Sequence, residues 1–249
     1  MSAATVKAKS GAEVILEQLR QPKVVYIKRG PTCKEVHCRQ KDDVWWSVRR
    51  GVPTASEAGR ILTPKTMKYA SAAKKYITDL AAEIYRLDPK IIVEKPISRD
   101  MQFGVDCEPE ARAWFASETG LNVREVGFCM TDDERFGCSP DGLIDDDGCL
   151  ELKCPKLETL SAWLLDDGDL CDPSGVPYEH LCQVHDELIV TNRKYCSFVA
   201  YSPGLHPLHV RVTPNEFTDK LREAKELLWA NFMKAIDKLY AIGNKRIVP

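Results

Sequence analysis

Apolar residues change their period several times along the chain, and each change marks an element. Between residues 67 and 87, Ala73, Tyr76/Ile77, Leu80, Ile84 and Leu87 fall at helical spacing, which predicts a helix stopped by Asp88-Pro89. A second helix is predicted from about Asp100 to Thr119, with Gly120 as its stop. Pro109 lies inside that span, so either the final helix starts near Cys107 or the helix kinks there. After Val123 the pattern shortens to strands. Glu125–Met130 is one; Gly142–Ile144 and Cys149–Lys153 form a pair joined by Asp145-Asp146-Asp147-Gly148, a strong turn signal. Leu157–Leu165 predicts a short helix, residues 166–177 a loop, Tyr178–Thr191 a helix and Tyr195–Tyr201 a buried strand. Thr213-Pro214-Asn215-Glu216 reads as a capping box with Thr213 at the N-cap. Phe217, Leu221, Ala224, Leu228, Ala235 and Leu239 mark one face of the long helix that follows, ending at Gly243. Helices flanking a central mixed sheet define an α/β (α+β) fold.

Composition changes this picture little, but charge distribution does. The 249 residues, 44% of them hydrophobic, suffice for one large domain with a real core. Net charge is only −2, yet residues 1–50 hold eleven Lys/Arg against five Asp/Glu, and residues 132–187 hold three against sixteen. An acidic middle repels phosphate unless cations sit in it, while a basic N-terminal part offers phosphate contacts. No stretch approaches the roughly 20 apolar residues needed to span a membrane. The N-terminus lacks the apolar core of a signal peptide, so the ten cysteines are expected to be reduced thiols of a cytoplasmic protein. Cys33 to Cys38, with His37 between, has half the pattern of a zinc site, but no good second half follows.

The hairpin carries the chemistry. In a strand, alternate residues share a face, so Glu151 and Lys153 point one way while Leu150 and Leu152 point the other. The tight turn folds Gly142–Ile144 back alongside and brings Asp141 close to Glu151. Two converging carboxylates repel unless they share a cation, and hard oxygen ligands select Mg²⁺ or Mn²⁺ rather than zinc. Lys153 beside them suits a group that orients water or stabilises charge on a phosphate. Alone, this trio is a weak pattern, since most chance matches to it are salt-bridged surface strands.

Four blocks in order make it specific: WWSVRRGVPTASE (45–57), MQFGVDCEPEARAWFASETG (101–120), CSPDGLIDDDGCLELKCP (138–155) and LCQVHDELIVT (181–191). Together the chain resembles the lambda exonuclease and YqaJ family of viral recombination nucleases, alkaline exonucleases of phages and prophages. These have the PD-(D/E)XK, restriction-endonuclease-like core. The resemblance implies that Asp141 and Glu151 bind the metal, with the backbone carbonyl of Leu152 as a further ligand and Glu108 near a second metal position. It implies that Lys153 holds the water nucleophile, that Gln183 sits against the substrate or the lysine, and that Arg49 and Ser56 hold the 5′-phosphate of the strand being cut. Glu110 is the alternative to Glu108, and Arg50 to Arg49; distance to Gly120 favours Glu108, and spacing to Ser56 favours Arg49. Gln183 lies opposite the Leu181/Val184/Leu188 face, and Asp186 and Glu187 flank its side, so its role rests on the resemblance. Asp132 is a further family-like acid, with Asp133 and Glu134 as rivals. His185 reads as a core or surface histidine rather than a DNA contact.

The resemblance also implies the activity and its partners. The expectation is a Mg²⁺-dependent (or Mn²⁺-dependent) 5′→3′ exonuclease on linear double-stranded DNA with a 5′-phosphate end, leaving a 3′ overhang. A homotrimeric ring around DNA and a single-strand annealing protein as partner come with it. Residues 1–43 read as an unassigned N-terminal extension, and 44–249 as one nuclease domain. The competing readings are an endonuclease or junction resolvase on the same core, a catalytically silent DNA-binding module, and a Mg²⁺ enzyme for small phosphate esters. The absence of a Gly-rich phosphate loop weighs against the last.

Overall fold

The computed structural model describes residues 9–19, 27–30, 32–85 and 98–245. In chain order the elements begin with α1 (Gly11–Leu19), β1 (Ile27–Arg29), β2 (Lys34–Val36), α2 (Asp43–Arg49), a 3-10 helix (Ala55–Arg60), β3 (Leu62–Thr63), β4 (Lys68–Tyr69), α3 (Ala73–Tyr85) and α4 (Arg99–Thr119). Then come β5 (Val123–Arg124), β6 (Phe128–Met130), β7 (Gly137–Cys138), β8 (Gly142–Ile144), β9 (Gly148–Lys153), α5 (Leu157–Leu164), α6 (Tyr178–Thr191), β10 (Tyr195–Ala200), β11 (Leu208–Val212) and α7 (Glu216–Lys245).

A five-stranded mixed sheet runs β11-β10-β9-β8-β5, with β9 and β10 parallel and every other pair antiparallel. The parallel pair needs a long crossover, which α5 and α6 supply. On one face, Ala111 and Phe115 of α4 pack with Leu150, Leu152 and Val199. On the other, Val184 and Leu188 of α6 and Leu221 and Phe232 of α7 share a larger core with Cys149 and Cys196. Side chains alternate along β9, so Leu150 and Leu152 face α4 while Glu151 and Lys153 face α6. The active hairpin is therefore clamped from both sides. A second, antiparallel sheet, β1-β2-β6-β7, stands beside it.

Local differences from the sequence pattern have physical causes. The expected strand over 125–130 shortens to β6, which joins the second sheet; β5, just before it, belongs to the mixed sheet, and the chain crosses between them at Gly127. A Cβ there would lie 2.1 Å from the carbonyl oxygen of Cys38, so the crossing requires glycine. α4 continues through Pro109 as one helix, giving up only the bond that the missing N–H would make to Val105. Gly120 ends it in the left-handed region, at φ 66°. α3 starts at Ala73 because residues 68–69 are taken by β4; Leu87 and Asp88-Pro89 lie outside the described residues.

α7 is capped by Asn215 rather than Thr213. Asn215 Oδ1 accepts from the amide of Phe217 at 3.0 Å, and the Asn215 amide donates to Thr218 Oγ1 at 2.9 Å. This reciprocal pair leaves Pro214 outside the helix. The helix also passes Gly243 to reach Lys245, and its buried stripe ends with Phe232 and Ile236 instead of Ala235 and Leu239. The larger side chains take the core because they bury more apolar area.

Residues before 44 are joined to this body. β2 pairs with β6, and the amide of Ala12 in α1 donates to Asp237 Oδ1 of α7 at 2.8 Å. All ten cysteines are free thiols. Among the described residues, no helix is long and apolar enough to cross a membrane.

Candidate active site

The register of the hairpin explains how Asp141 meets Glu151. The amide of Asp141 donates to the carbonyl of Leu150 at 2.9 Å, which extends the β8–β9 pairing by one residue. Asp141 Oδ2 in turn accepts from the amide of Leu152 at 2.6 Å. On the neighbouring side of β9, Glu151 is buried, with 2% of its surface exposed. Its Oε1 takes a hydrogen bond from Gln183 Nε2 at 2.5 Å and lies 2.5 Å from Lys153 Nζ. Lys153 closes the triangle by donating to Gln183 Oε1 at 3.2 Å. Gln183 is thus no solvent-facing residue of α6: its amide satisfies the carboxylate with one end and the ammonium with the other.

Glu187, one helical turn beyond Gln183, completes the cluster. Its Oε1 accepts from Gln183 Nε2 at 3.3 Å, and the residue is fully buried. The sequence pattern had placed it on a flank of the helix. The i, i+4 spacing from Gln183 was the available signal, since such residues share a helix face.

The electrostatics are those of crowded acids. Burial and then the charge of Glu151 push the Asp141 carboxyl up to about 8. Burial and Glu151 likewise raise Glu187 well above the carboxylate range. Glu108, on α4, is also raised by burial, against the opposing charges of Lys41, Arg112 and Lys153. Burial works against the Lys153 ammonium, but Glu151 and Asp141 outweigh it and keep the lysine protonated. Glu110 points elsewhere: it accepts from Tyr201 Oη at 2.5 Å, tying α4 to the end of β10.

Such a set of hard oxygen donors, too close for all to ionise alone, fits a divalent cation of the Mg²⁺ or Mn²⁺ type. Cys149, Glu187 and Cys196 also bring ligand atoms within 4.8 Å of one another. Two thiols make that group soft, unlike the Asp141–Glu151 pair.

The phosphate-binding candidates form their own group. The Arg49 guanidinium lies 4.0 Å from the centroid of the Trp45 ring and reaches Thr54 Oγ1 at 3.5 Å. Thr54 Oγ1 is 3.4 Å from Ser56 Oγ. Arg50 is occupied differently, donating to the carbonyls of Glu83 and Ile84 at 2.8 and 2.7 Å at the end of α3. The geometry therefore joins Arg49, not Arg50, to Ser56. Trp45 Nε1 donates to Ser139 Oγ at 2.8 Å, which fastens this group to the segment leading into Asp141. Asp132 is exposed in the turn after β6. His185 is a core residue whose Nδ1 lies 2.8 Å from Thr218 Oγ1.

A mixed sheet between helices, with converging acids and a lysine on its central hairpin, defines the restriction-endonuclease-like nuclease fold. Residues 44–194 match the YqaJ-like viral recombinase domain, and the chain belongs to that family. It is similar to an alkaline exonuclease from Laribacter hongkongensis at 26% identity, covering 82% of this chain and 99% of that one, with a TM-score of 0.65. The structure of that enzyme in complex with dAMP gives the same values. A phage-related exonuclease from Haemophilus somnus shares the fold at 11% identity and a TM-score of 0.53, covering 76% of this chain and 96% of that one. No curated protein matches the chain. Family and fold together support a hydrolytic nuclease.

Proposed function

We propose that the protein is a metal-dependent 5′→3′ exonuclease. It degrades one strand of linear double-stranded DNA and leaves a 3′ single-stranded overhang for recombination by strand annealing. The observation that carries the reading is the closed hydrogen-bonded triangle of Glu151, Lys153 and Gln183 beside Asp141, with the Arg49–Ser56 group fastened through Trp45 and Ser139 to the segment that leads into Asp141. Asp141, Glu151, the carbonyl of Leu152 and Glu108 would hold Mg²⁺, or Mn²⁺. When bound, the metal activates water and offsets charge on the phosphoryl group.

The chain's own residues do the rest. Lys153 Nζ holds the attacking water and the non-bridging oxygen near it. Gln183 fixes the lysine through Oε1 and Glu151 through Nε2, so neither has to reorganise when charge develops. Arg49 grips a terminal 5′-phosphate with its guanidinium fork, and Ser56 adds a hydroxyl donor. The nuclease domain on this reading spans 44–249, with the preceding residues as an extension. A homotrimeric ring, a single-strand annealing partner and a cytoplasmic location accompany it by resemblance to the family.

Linear duplexes with 5′-phosphate or 5′-hydroxyl ends, each strand labelled separately, test the reading in Mg²⁺. Loss of the 5′-phosphorylated strand is expected, with the complementary strand spared. Cutting of closed circular DNA, or no cutting at all, would overturn it. In the same assay Arg49→Ala is expected to erase the preference for the 5′-phosphate; a preserved preference would move that role to another cation.

Metal binding carries a pH signature. Asp141 has its proton held by burial and by Glu151 up to about 8, so it must release that proton to bind a cation. Its folded pKa is raised above the unfolded one, so the metal-free fold binds more protons than the unfolded chain. Stability of the metal-free protein therefore falls as pH rises from the usual aspartate range through about 8. The rise in Tm produced by Mg²⁺ is expected to be small at pH 6 and large at pH 9. A pH-independent shift would mean that Asp141 does not bind the metal.

A further inference from the structure

The active-site acids Asp141 and Glu108 stand at the margin of an open cleft of about 1340 Å³. Its opposite wall is the loop after β2, residues 37–41, which precedes the segment matched to the family. This loop is held firmly. Asp42 accepts from the amide of Arg39 at 2.8 Å through Oδ2 and from that of Trp45 at 2.7 Å through Oδ1. Gln40 Nε2 reaches the carbonyl of Pro140, the residue before Asp141, at 3.5 Å. Lys41 is kept in the left-handed region, at φ 70°, which costs a non-glycine residue energy and requires a surrounding structure to impose it.

The charges around the cleft sort into two sets. Arg124 is taken by Glu35 at 2.8 Å, and Arg112 by the carbonyl of Asp141 and by Glu125 at 3.6 Å. Arg39 and Lys41 are exposed and make no salt bridge among the described residues, although the charge of Arg39 is felt by Asp42 on the same loop. Lys41 is near enough for its charge to act on Glu108 across the cleft. Arg49, Thr54 and Ser56 do not line this space, so its free cations are separate from the group at the 5′-phosphate.

We infer that Arg39 and Lys41 form a second phosphate grip, which holds the sugar-phosphate backbone of duplex DNA in the cleft beside the cutting site. The inference rests on the nuclease reading and adds a binding site to it. A rigid loop presenting two unpaired cations opposite an acidic metal site gives the polyanion its counter-charge where the acids would otherwise repel it. Backbone contacts of this kind position DNA without reading its sequence.

The test compares wild type with an Arg39→Gln/Lys41→Asn double variant. A labelled duplex with 5′-phosphate ends is titrated in EDTA over a salt series, with fluorescence anisotropy as readout. Two lost phosphate contacts should flatten the slope of log affinity against log salt by about 2. They should also weaken binding by about tenfold at fixed salt. In Mg²⁺ the defect should appear in KM rather than kcat, and Arg39→Lys/Lys41→Arg should keep the wild-type slope. An unchanged slope and affinity overturns the grip while the nuclease reading stands. Wild type that neither binds nor cuts duplex DNA overturns both. If circular dichroism shows the double variant misfolded, Arg39→Gln alone should flatten the slope by about 1, and no change overturns the inference.

Discussion

Lys153→Ala is expected to lose strand cleavage by roughly a thousandfold while the protein stays folded in Mg²⁺. The lysine is not a mobile surface cation. Its Nζ sits 2.5 Å from Glu151 Oε1 and 3.2 Å from Gln183 Oε1, in a half-buried position where acids hold its charge. A cation preset in this way stabilises developing negative charge without rearranging, which is why its removal costs rate more than binding. The substitution also leaves Glu151 buried without the ammonium that pairs with it. A metal would offset that loss and EDTA would expose it. The variant should therefore gain more in Tm from Mg²⁺ than wild type does. Lys153→Arg should not restore the rate, because a planar fork does not replace a compact ammonium in a fixed triangle. Unchanged turnover in Lys153→Ala would remove the residue from the mechanism.

Much of this site was legible because it is local. The β8–β9 hairpin is a turn signal flanked by alternating residues, and the alternation alone puts Glu151 and Lys153 on one face. The bounds of α6 and the stop of α4 at Gly120 follow from helical period and a left-handed glycine. What the pattern missed depends on distant chain. Glu187 and Asp186 look like solvent-facing acids of α6, and only the packing of α6 against β9, β10 and α7 buries them. The shortening of the 125–130 strand to Phe128–Met130 goes with Cys38 lying across Gly127, a contact 89 residues apart in the chain that no local window contains. The cap of α7 was misplaced by two residues because Thr213 and Asn215 are both good caps, and the choice fell to the reciprocal bond with Thr218.

The same misjudged acid carries the largest expected effect on stability. Asp186 and Lys225 pair between α6 and α7, and each is 1% exposed. Asp186 Oδ1 accepts from Lys225 Nζ, while Oδ2 is buried with no partner. The lysine also lies over the Phe136 ring, 4.4 Å from Nζ to its centroid. Lys225→Met removes the cation paired with this carboxylate and leaves its charge in a buried interface. Breaking a buried pair from one side costs about 3–5 kcal/mol. In a domain of this size that lowers Tm by roughly 10 °C. Asp186→Leu/Lys225→Met removes both charges and should recover most of the loss, since two apolar side chains of similar volume carry no desolvation penalty. Thermal melts of the single and double variants in Mg²⁺ separate the outcomes. A single variant as stable as wild type would mean that the pair contributes nothing. A double variant as unstable as the single one would assign the loss to packing around Phe136 rather than to charge. α6 also carries Gln183, one turn before Asp186, so the pair holds the helix that fixes Lys153 and Glu151. Below its lowered Tm, the single variant is therefore expected to keep the strand preference of wild type, because Arg49 and Ser56 lie outside this interface.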